Sequence, residues 1–146
     1  MRIHLAADHA GFELKEKVKQ FLLELEYEVE DHGAEEFQKE DDYPDFIKPV
    51  AEAIAANPQE KGILFGGSGQ GEAMVANRFA GVRAAVYSGG PQDIIRLSRE
   101  HNDANMLSIG ARFLSEEEAL NAIKLWLELP FPKEERHQRR IDKIDN

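Results

Sequence analysis

The stretch Gly62-Ile63-Leu64-Phe65-Gly66-Gly67-Ser68-Gly69-Gln70-Gly71-Glu72 decides how the rest of the chain is read. Residues 62–65 have the apolar character of a buried strand. Four glycines follow within the six residues from Gly66 to Gly71. Residues 72–79 then take on helical character. A strand therefore runs through a glycine turn into a helix. The same alternation continues on both sides of this unit.

Upstream, residues 3–7 form a short apolar run ending at Asp8-His9. Leu14, Val18, Phe21, Leu22 and Leu25 recur at helical spacing and predict an amphipathic helix over 11–26. Residues 28–31 read as a short strand closed by Gly33, and 34–43 as a polar, acidic loop. Pro44 suits a first helical turn. Phe46, Val50 and Ile54 carry a helix to about residue 56, where Asn57-Pro58 stops it. Downstream, 82–87 predicts a strand, 91–100 a helix, and 106–109 a strand ending at Gly110-Ala111-Arg112. Ser115-Glu116-Glu117-Glu118 has the form of a capping box, opening a helix to residue 129. Pro130 and Pro132 break it, and 133–144 forms a last helix. Five strands separated by helices predict one α/β domain over residues 1–146, with a parallel sheet. In such folds ligands sit beyond the carboxyl ends of the strands. Asp8-His9, the glycine loop and Arg112 are therefore expected on one edge.

Composition narrows the function. The 146 residues suffice for one domain, and a hydrophobic content of 42% predicts a packed globule rather than a disordered chain. The absence of cysteine excludes disulfides, thiolate metal sites and cysteine nucleophiles. No apolar run approaches the roughly 20 residues needed to span a bilayer. The N-terminus enters a strand pattern directly, without a leader-like segment. A soluble cytoplasmic protein is expected. The net charge of −10 argues against nucleic-acid or anionic-membrane partners. The charge is uneven, however. Thirteen acidic residues lie between Glu24 and Glu60, whereas Lys133, Arg136, Arg139, Arg140 and Lys143 cluster near the end. A basic cluster on an acidic protein points to a small anionic ligand or a partner subunit, or else to a solvated terminal helix.

Several groups could carry chemistry. Glycine lets backbone amides approach a ligand, and amides at a helix start form an anion site. The loop matches neither G-x-G-x-x-G, since Met74 stands where the last glycine would be, nor the P-loop, which needs Gly-Lys-Ser/Thr. A nucleotide site is not supported, and a tight packing turn remains the plain alternative. Glu72 lies in the first turn of the next helix. A carboxylate is electrostatically favoured there, and it is equally placed to act as a general base. Asp8-His9 forms a polar site at a strand end, or Asp8 caps the helix. His101-Asn102-Asp103 closes the fourth helix. That helix runs back along the sheet, and its length of about 18 Å sets His101 at the edge opposite its own glycine loop. His101 is then either a helix-ending cap or part of a neighbouring subunit's site. Arg136 and Arg140 are four apart and share a helix face, which suits a phosphate or simply a cationic helix end. The five histidines show no His-x-x-x-His spacing, so no metal site is expected.

These motifs together resemble the ribose/galactose-6-phosphate isomerase family. The resemblance runs through Ala7-Asp8-His9-Ala10-Gly11-Phe12-Glu13-Leu14-Lys15, Asp42-Tyr43-Pro44 and the glycine loop to Glu72. It continues through Ala76-Asn77-Arg78, Arg99-Glu100-His101-Asn102 and Gly110-Ala111-Arg112 to Arg136-His137-Gln138-Arg139-Arg140. The family implies a three-layer α/β/α, Rossmann-like domain with a five-stranded parallel sheet, and no metal or organic cofactor. It also implies a homodimer with sites shared across the interface, sometimes paired into a tetramer, to which the terminal helix contributes. It implies interconversion of ribose 5-phosphate and ribulose 5-phosphate through an enediolate. Galactose 6-phosphate, allose 6-phosphate or a tetrose phosphate are rival substrates, and a non-catalytic sugar-phosphate-binding subunit or phosphosugar sensor is a rival role. One version of the family uses a cysteine where this chain has Gly66. The other uses a glutamate after the loop, which Glu72 matches. By the same resemblance, His101 opens the sugar ring and Ser68 passes protons between the sugar oxygens. The amides around Gly67, Gly69, Gln70 and Gly71 hold the enediolate. His9, Arg112, Arg136 and Arg140 contact phosphate, and Asp8, Tyr43 and Asn102 contact the sugar.

Overall fold

In the computed structural model, which describes residues 1–146, the alternating pattern folds into eleven elements. They are β1 (Arg2–Ala7), α1 (Phe12–Glu24), β2 (Glu28–Asp31), α2 (Tyr43–Ala56), β3 (Lys61–Gly66) and α3 (Gln70–Ala76). Then come β4 (Ala84–Tyr87), α4 (Asp93–Glu100), β5 (Met106–Gly110), α5 (Glu116–Glu128) and α6 (Glu135–Asp142). The strands form one sheet in the order β2-β1-β3-β5-β4, and every pairing is parallel. From β1 the chain builds to one side for β2 and to the other for β3. That reversal opens a crevice at the carboxyl ends of β1 and β3, where ligands of such sheets bind. Asp8 and Gly67 follow those two ends directly.

Side chains alternate across a strand. Ile3, Leu5, Ala7, Ile63, Phe65, Leu107 and Ile109 therefore face one layer, packed on Val18 and Leu22 of α1 and Ile123 and Trp126 of α5, with Ile95 of α4 beside them. Ala6, Leu64 and Met106 face the other layer, packed on Ile47, Val50 and Ile54 of α2 and Ala76 of α3. A sheet covered on both faces needs strands that are apolar throughout, and β3 and β5 are buried in that way. Lys15 of α1 is fully buried, and its Nζ donates to Asp31 Oδ2 at 2.6 Å, tying α1 to the edge strand. No helix is long and apolar enough to cross a membrane.

The capping box forms as expected: Ser115 Oγ accepts from the Glu118 amide at 3.1 Å, and Glu118 Oε1 accepts from the Ser115 amide. Boundaries shift where side chains capture backbone. α3 ends at Ala76 rather than 79 because Asn77 pairs with the backbone of Ala84 through both ends of its amide, at 2.8 and 3.0 Å. The same pairing delays β4 from 82 to 84. α1 stops at Glu24, short of 26, where Glu26 turns to φ +66°. The last helix begins at Glu135 because Lys133 takes φ +58°.

Candidate active site

Asp8, His9, Tyr43, Ser68, Gly67 to Gly71, Glu72 and Arg112 gather at the carboxyl ends of β1, β3 and β5. The loop is pinned from beneath. Gly66 and Gly110 are register partners, and beyond them the Ala111 amide donates to Gly66 O at 2.8 Å and the Arg112 amide to Gly67 O at 3.1 Å. Gly69 takes φ +78° at the N-cap of α3, a conformation natural only to glycine. Its carbonyl accepts from the buried Ser108 hydroxyl at 2.6 Å. The Gln70 amide donates to Ser68 Oγ at 3.3 Å. Arg112 lies over Gly67, and the Tyr43 ring covers Gly71, where a Cβ would come within 2.7 Å of it.

Glu72 is the unusual group. Its side chain turns back under the loop and is only 4% exposed. A Cβ at Gly66 would overlap its carboxylate. The carboxylate therefore occupies the space into which a side chain at 66 would point. A residue with a reactive side chain at 66 and Glu72 in this position are mutually exclusive. Burial pushes the Glu72 carboxyl above its ordinary range; its own amide opposes that rise and the nearby Asp8 charge adds to it. A carboxyl held closer to neutrality is suited to taking and returning a proton.

Asp8 is nearly buried, and its Oδ1 accepts from the amides of Ala10 at 2.9 Å and Gly11 at 3.3 Å. It thus shapes the turn before α1 and remains beside Glu72, but it is not the helix cap: the N-cap is Gly11, with no side-chain cap bond. The His9 ring nitrogen Nδ1 meets Asp41 Oδ1 at 2.8 Å, and the His9 amide donates to the same oxygen at 3.1 Å. Asp41 Oδ2 is buried without a partner. His9, Lys39 and Arg112, with Glu13 and Phe37, line a cleft of about 330 Å³. Three nitrogen-bearing side chains around so small a space suit an anion.

His101, Asn102, Arg136 and Arg140 are placed elsewhere. His101 is the C-cap of α4, its amide donating to Leu97 O at 3.0 Å. Its ring stacks on the buried His137, with centroids 4.2 Å apart. Asn102 O accepts from Arg83 Nε at 2.9 Å. Ile144 and Asn102 share a cleft with Ala84 at the start of β4, and the Gly81 amide donates to Asp145 Oδ2 at 2.8 Å. This group therefore lies at the amino ends of β4 and β5. The length of β5, five residues at about 3.3 Å each or roughly 16 Å, separates it from the glycine loop. Arg136 is exposed and pairs with Glu134 at 3.2 Å. Burial, together with the charges of His101 and Arg136, lowers the His137 pKa.

Four residues that the structure sets against these groups escape sequence reasoning. Asp41 and Lys39 sit in an acidic loop that reads as solvated. His137 stands among arginines that draw the eye first. Ser108 alone leaves a signal, being the one polar side chain in an apolar strand. The expectation of no metal site rested on spacing along a single element. Strand pairing instead brings His4 Nδ1 and His32 Nε2 to 2.9 Å.

Comparison with known proteins adds the chemistry. A family model described as Ribose/Galactose Isomerase matches residues 3–144. The ribose-5-phosphate isomerase B of Mycobacterium tuberculosis is 41% identical over 142 residues, covering 97% of this chain and 86% of the relative. A crystal structure of a ribose 5-phosphate isomerase from Thermotoga maritima superposes with a TM-score of 0.91 at 45% identity, covering 99% of this chain and 97% of that one. A ribose-5-phosphate isomerase B from Mycoplasma genitalium, solved with bound ribulose 5-phosphate, gives a TM-score of 0.93 at 38% identity, covering 98% and 93%.

Proposed function

The chain belongs to the ribose/galactose isomerase family, and from that premise we propose that it interconverts ribose 5-phosphate and ribulose 5-phosphate with Glu72 as the base. The observation that carries this reading is the Glu72 carboxylate, buried beneath the glycine loop in the space that Gly66 leaves open. Relatives named for this reaction, one of them holding ribulose 5-phosphate, support the substrate.

The reaction needs three things. First, the furanose must open: O1 gives up its proton, the C1–O4 bond breaks as C1=O1 forms, and O4 takes a proton. Next, a base removes the proton from C2. The electron pair becomes the C1–C2 double bond, and the charge passes to O1. Glu72 takes that proton and later returns it to C1, while a proton moves from O2 to O1 by way of the Ser68 hydroxyl. Fixed donors must meet the developing oxyanion, and the amides of Gly67 to Gly71 ring that position. Lastly, phosphate, remote from the reacting carbons, supplies binding energy and orientation. His9 and Arg112 line the anion cleft, and Asp8 and Tyr43 border the sugar between cleft and base.

Ring opening by His101 then requires a second subunit. Separation of about one strand length puts His101 out of reach of Glu72 in the same chain. A symmetric homodimer, in which each patch faces the other's loop, lets the partner subunit's His101 and Asn102, with Arg136 and Arg140 of the partner subunit, complete each site. The terminal helix α6 thereby joins interface and phosphate site. Two such dimers can pair into a tetramer without disturbing this arrangement. A doubly charged sugar phosphate does not cross bilayers unaided, which supports a cytoplasmic location.

The test is a turnover panel of four-, five- and six-carbon aldose phosphates. Ribose 5-phosphate is expected to give the highest kcat/KM. Preference for a six-carbon phosphate would assign another substrate, and no turnover of any would leave a binding subunit.

A further inference from the structure

A second cluster of ionisable groups lies apart from the candidate active site, at the β1–β2 edge of the sheet. We propose that His4, Glu30 and His32 form a binding site for a divalent transition-metal ion of the Zn²⁺ class. His4 and Glu30 are register partners on neighbouring parallel strands. His32, two residues beyond Glu30, returns to the same face.

Three distances define the cluster. His4 Nδ1 to His32 Nε2 is 2.9 Å, His4 Nδ1 to Glu30 Oε2 is 3.6 Å, and His32 Nε2 to Glu30 Oε1 is 3.8 Å. An ion with tetrahedral bonds of about 2.0–2.1 Å holds its ligand atoms about 3.3–3.4 Å apart. The two carboxylate edges reach different oxygens of Glu30, so a turn of that exposed side chain, with small rotations of the imidazoles, is needed to bring one oxygen and both ring nitrogens to this spacing. Two imidazoles and one carboxylate suit Zn²⁺ and its neighbours rather than Ca²⁺ or Mg²⁺, which prefer all-oxygen sites. The three ligands leave a fourth place for water.

The surroundings fit as well. Glu60 Oε2 lies 3.3 Å from His4 Nε2. A carboxylate there keeps the proton on Nε2 and turns the Nδ1 lone pair toward His32, the usual carboxylate–histidine–metal arrangement. Burial lowers the His32 pKa, which favours the neutral, ligating ring. The His4 side chain is 3% exposed and that of His32 15%, whereas Glu30 is 46% exposed and leaves the ion a way in. Arg2 is the opposing charge: its Nη1 donates to Glu30 Oε2 at 3.3 Å, with Glu28 also on it. Glu30 Oε1 stays free of Arg2. A bound ion would join β1, β2 and the turn before β3.

The experiment titrates Co²⁺ into the full-length chain after chelator treatment and records visible absorption, with Zn²⁺ titrated calorimetrically in parallel. One equivalent per chain, with the strong d–d bands of a four-coordinate ion, is expected. His32→Ala abolishes the bands, and the exposed Glu30→Gln weakens them. Glu60→Gln leaves the spectrum but loosens binding by about 10–100-fold. Zn²⁺ raises the Tm of the unaltered chain and leaves that of His32→Ala unchanged. A wild-type spectrum like that of hexaaqua Co²⁺ would overturn the proposal. So would bands that persist in His32→Ala, or that vanish instead in Asp41→Asn, since Asp8, His9 and Asp41 form the other cluster of suitable geometry. None of these readouts depends on isomerase turnover.

Discussion

The glycine-loop end of the sheet and the His101–Arg140 end, which we propose carry matching parts of one reaction, are built in opposite ways. At the loop end the Glu72 carboxylate is buried, the backbone is pinned by Ser108 of strand β5, and even the His9 imidazole beside the cleft is clamped by Asp41. At the other end the groups stand on a helix terminus and a short terminal helix. Arg136 is exposed there, and the only ring support is the stack on His137. A base at Glu72, as proposed, must be dry and fixed before substrate arrives, because its raised pKa comes chiefly from burial. The groups proposed for ring opening and phosphate binding need only be presented outward. On the proposed reading, the outward-facing groups of one chain serve the loop of another subunit.

The comparison breaks hardest at the loop end. Glu72→Gln keeps the shape and removes the base, and kcat/KM for ribose 5-phosphate is expected to fall by about 10²–10⁴-fold. Stability moves the other way. The folded chain holds the Glu72 proton more tightly than the unfolded chain does. Glu72 therefore favours folding below about pH 4.5 and opposes it as pH rises through the elevated value. Glu72→Gln should raise Tm by a few degrees at pH 7, with the gain shrinking at acid pH. A variant that is inactive and also less stable would mean the carboxylate is structural.

At the exposed end the expected loss is smaller and of another kind. Arg140→Ala removes hydrogen bonds to a charged group, worth about 1.5–3 kcal/mol, so KM rises by about 10–100-fold while kcat changes little. Arg140→Lys recovers only part, since a point charge replaces a fork. A fall in kcat at constant KM would take Arg140 out of the phosphate site.

The acid limb of kcat/KM against pH should lie above 4.5, the ordinary glutamate value. Asp8→Asn, by removing the neighbouring negative charge, should move that limb downward. A limb that stays in place would mean Asp8 contributes geometry alone. The smallest effect belongs to Asp41→Asn. Loosening the His9 ring should raise KM by about fivefold, with kcat held.

Much of this was legible in the residues. β3 announced itself through 62–65, the capping box through Ser115 and Glu118, and the site's edge of the sheet through the glycine loop that follows β3. Helix length alone set His101 away from its own loop, and the structure agrees. What stayed hidden depends on contacts between distant segments. Asn77 captures Ala84 and moves two boundaries. Asp41 reaches His9 from a loop whose run of acids looks like solvated surface. His4 and His32 become neighbours only when two strands pair. The back-folding of Glu72 into the space beside Gly66 was likewise invisible, although the glycine at 66 was its trace.

The central claim is that each site joins the loop of one chain to His101 of another. Glu72→Gln and His101→Ala chains, each nearly inactive alone, are refolded together in equal amounts, and ribose 5-phosphate turnover is measured. Random pairing in a symmetric dimer leaves one intact site in each heterodimer, so about a quarter of the wild-type activity should return. Heterodimers seen by native mass spectrometry that remain as inactive as the parents would contradict the account.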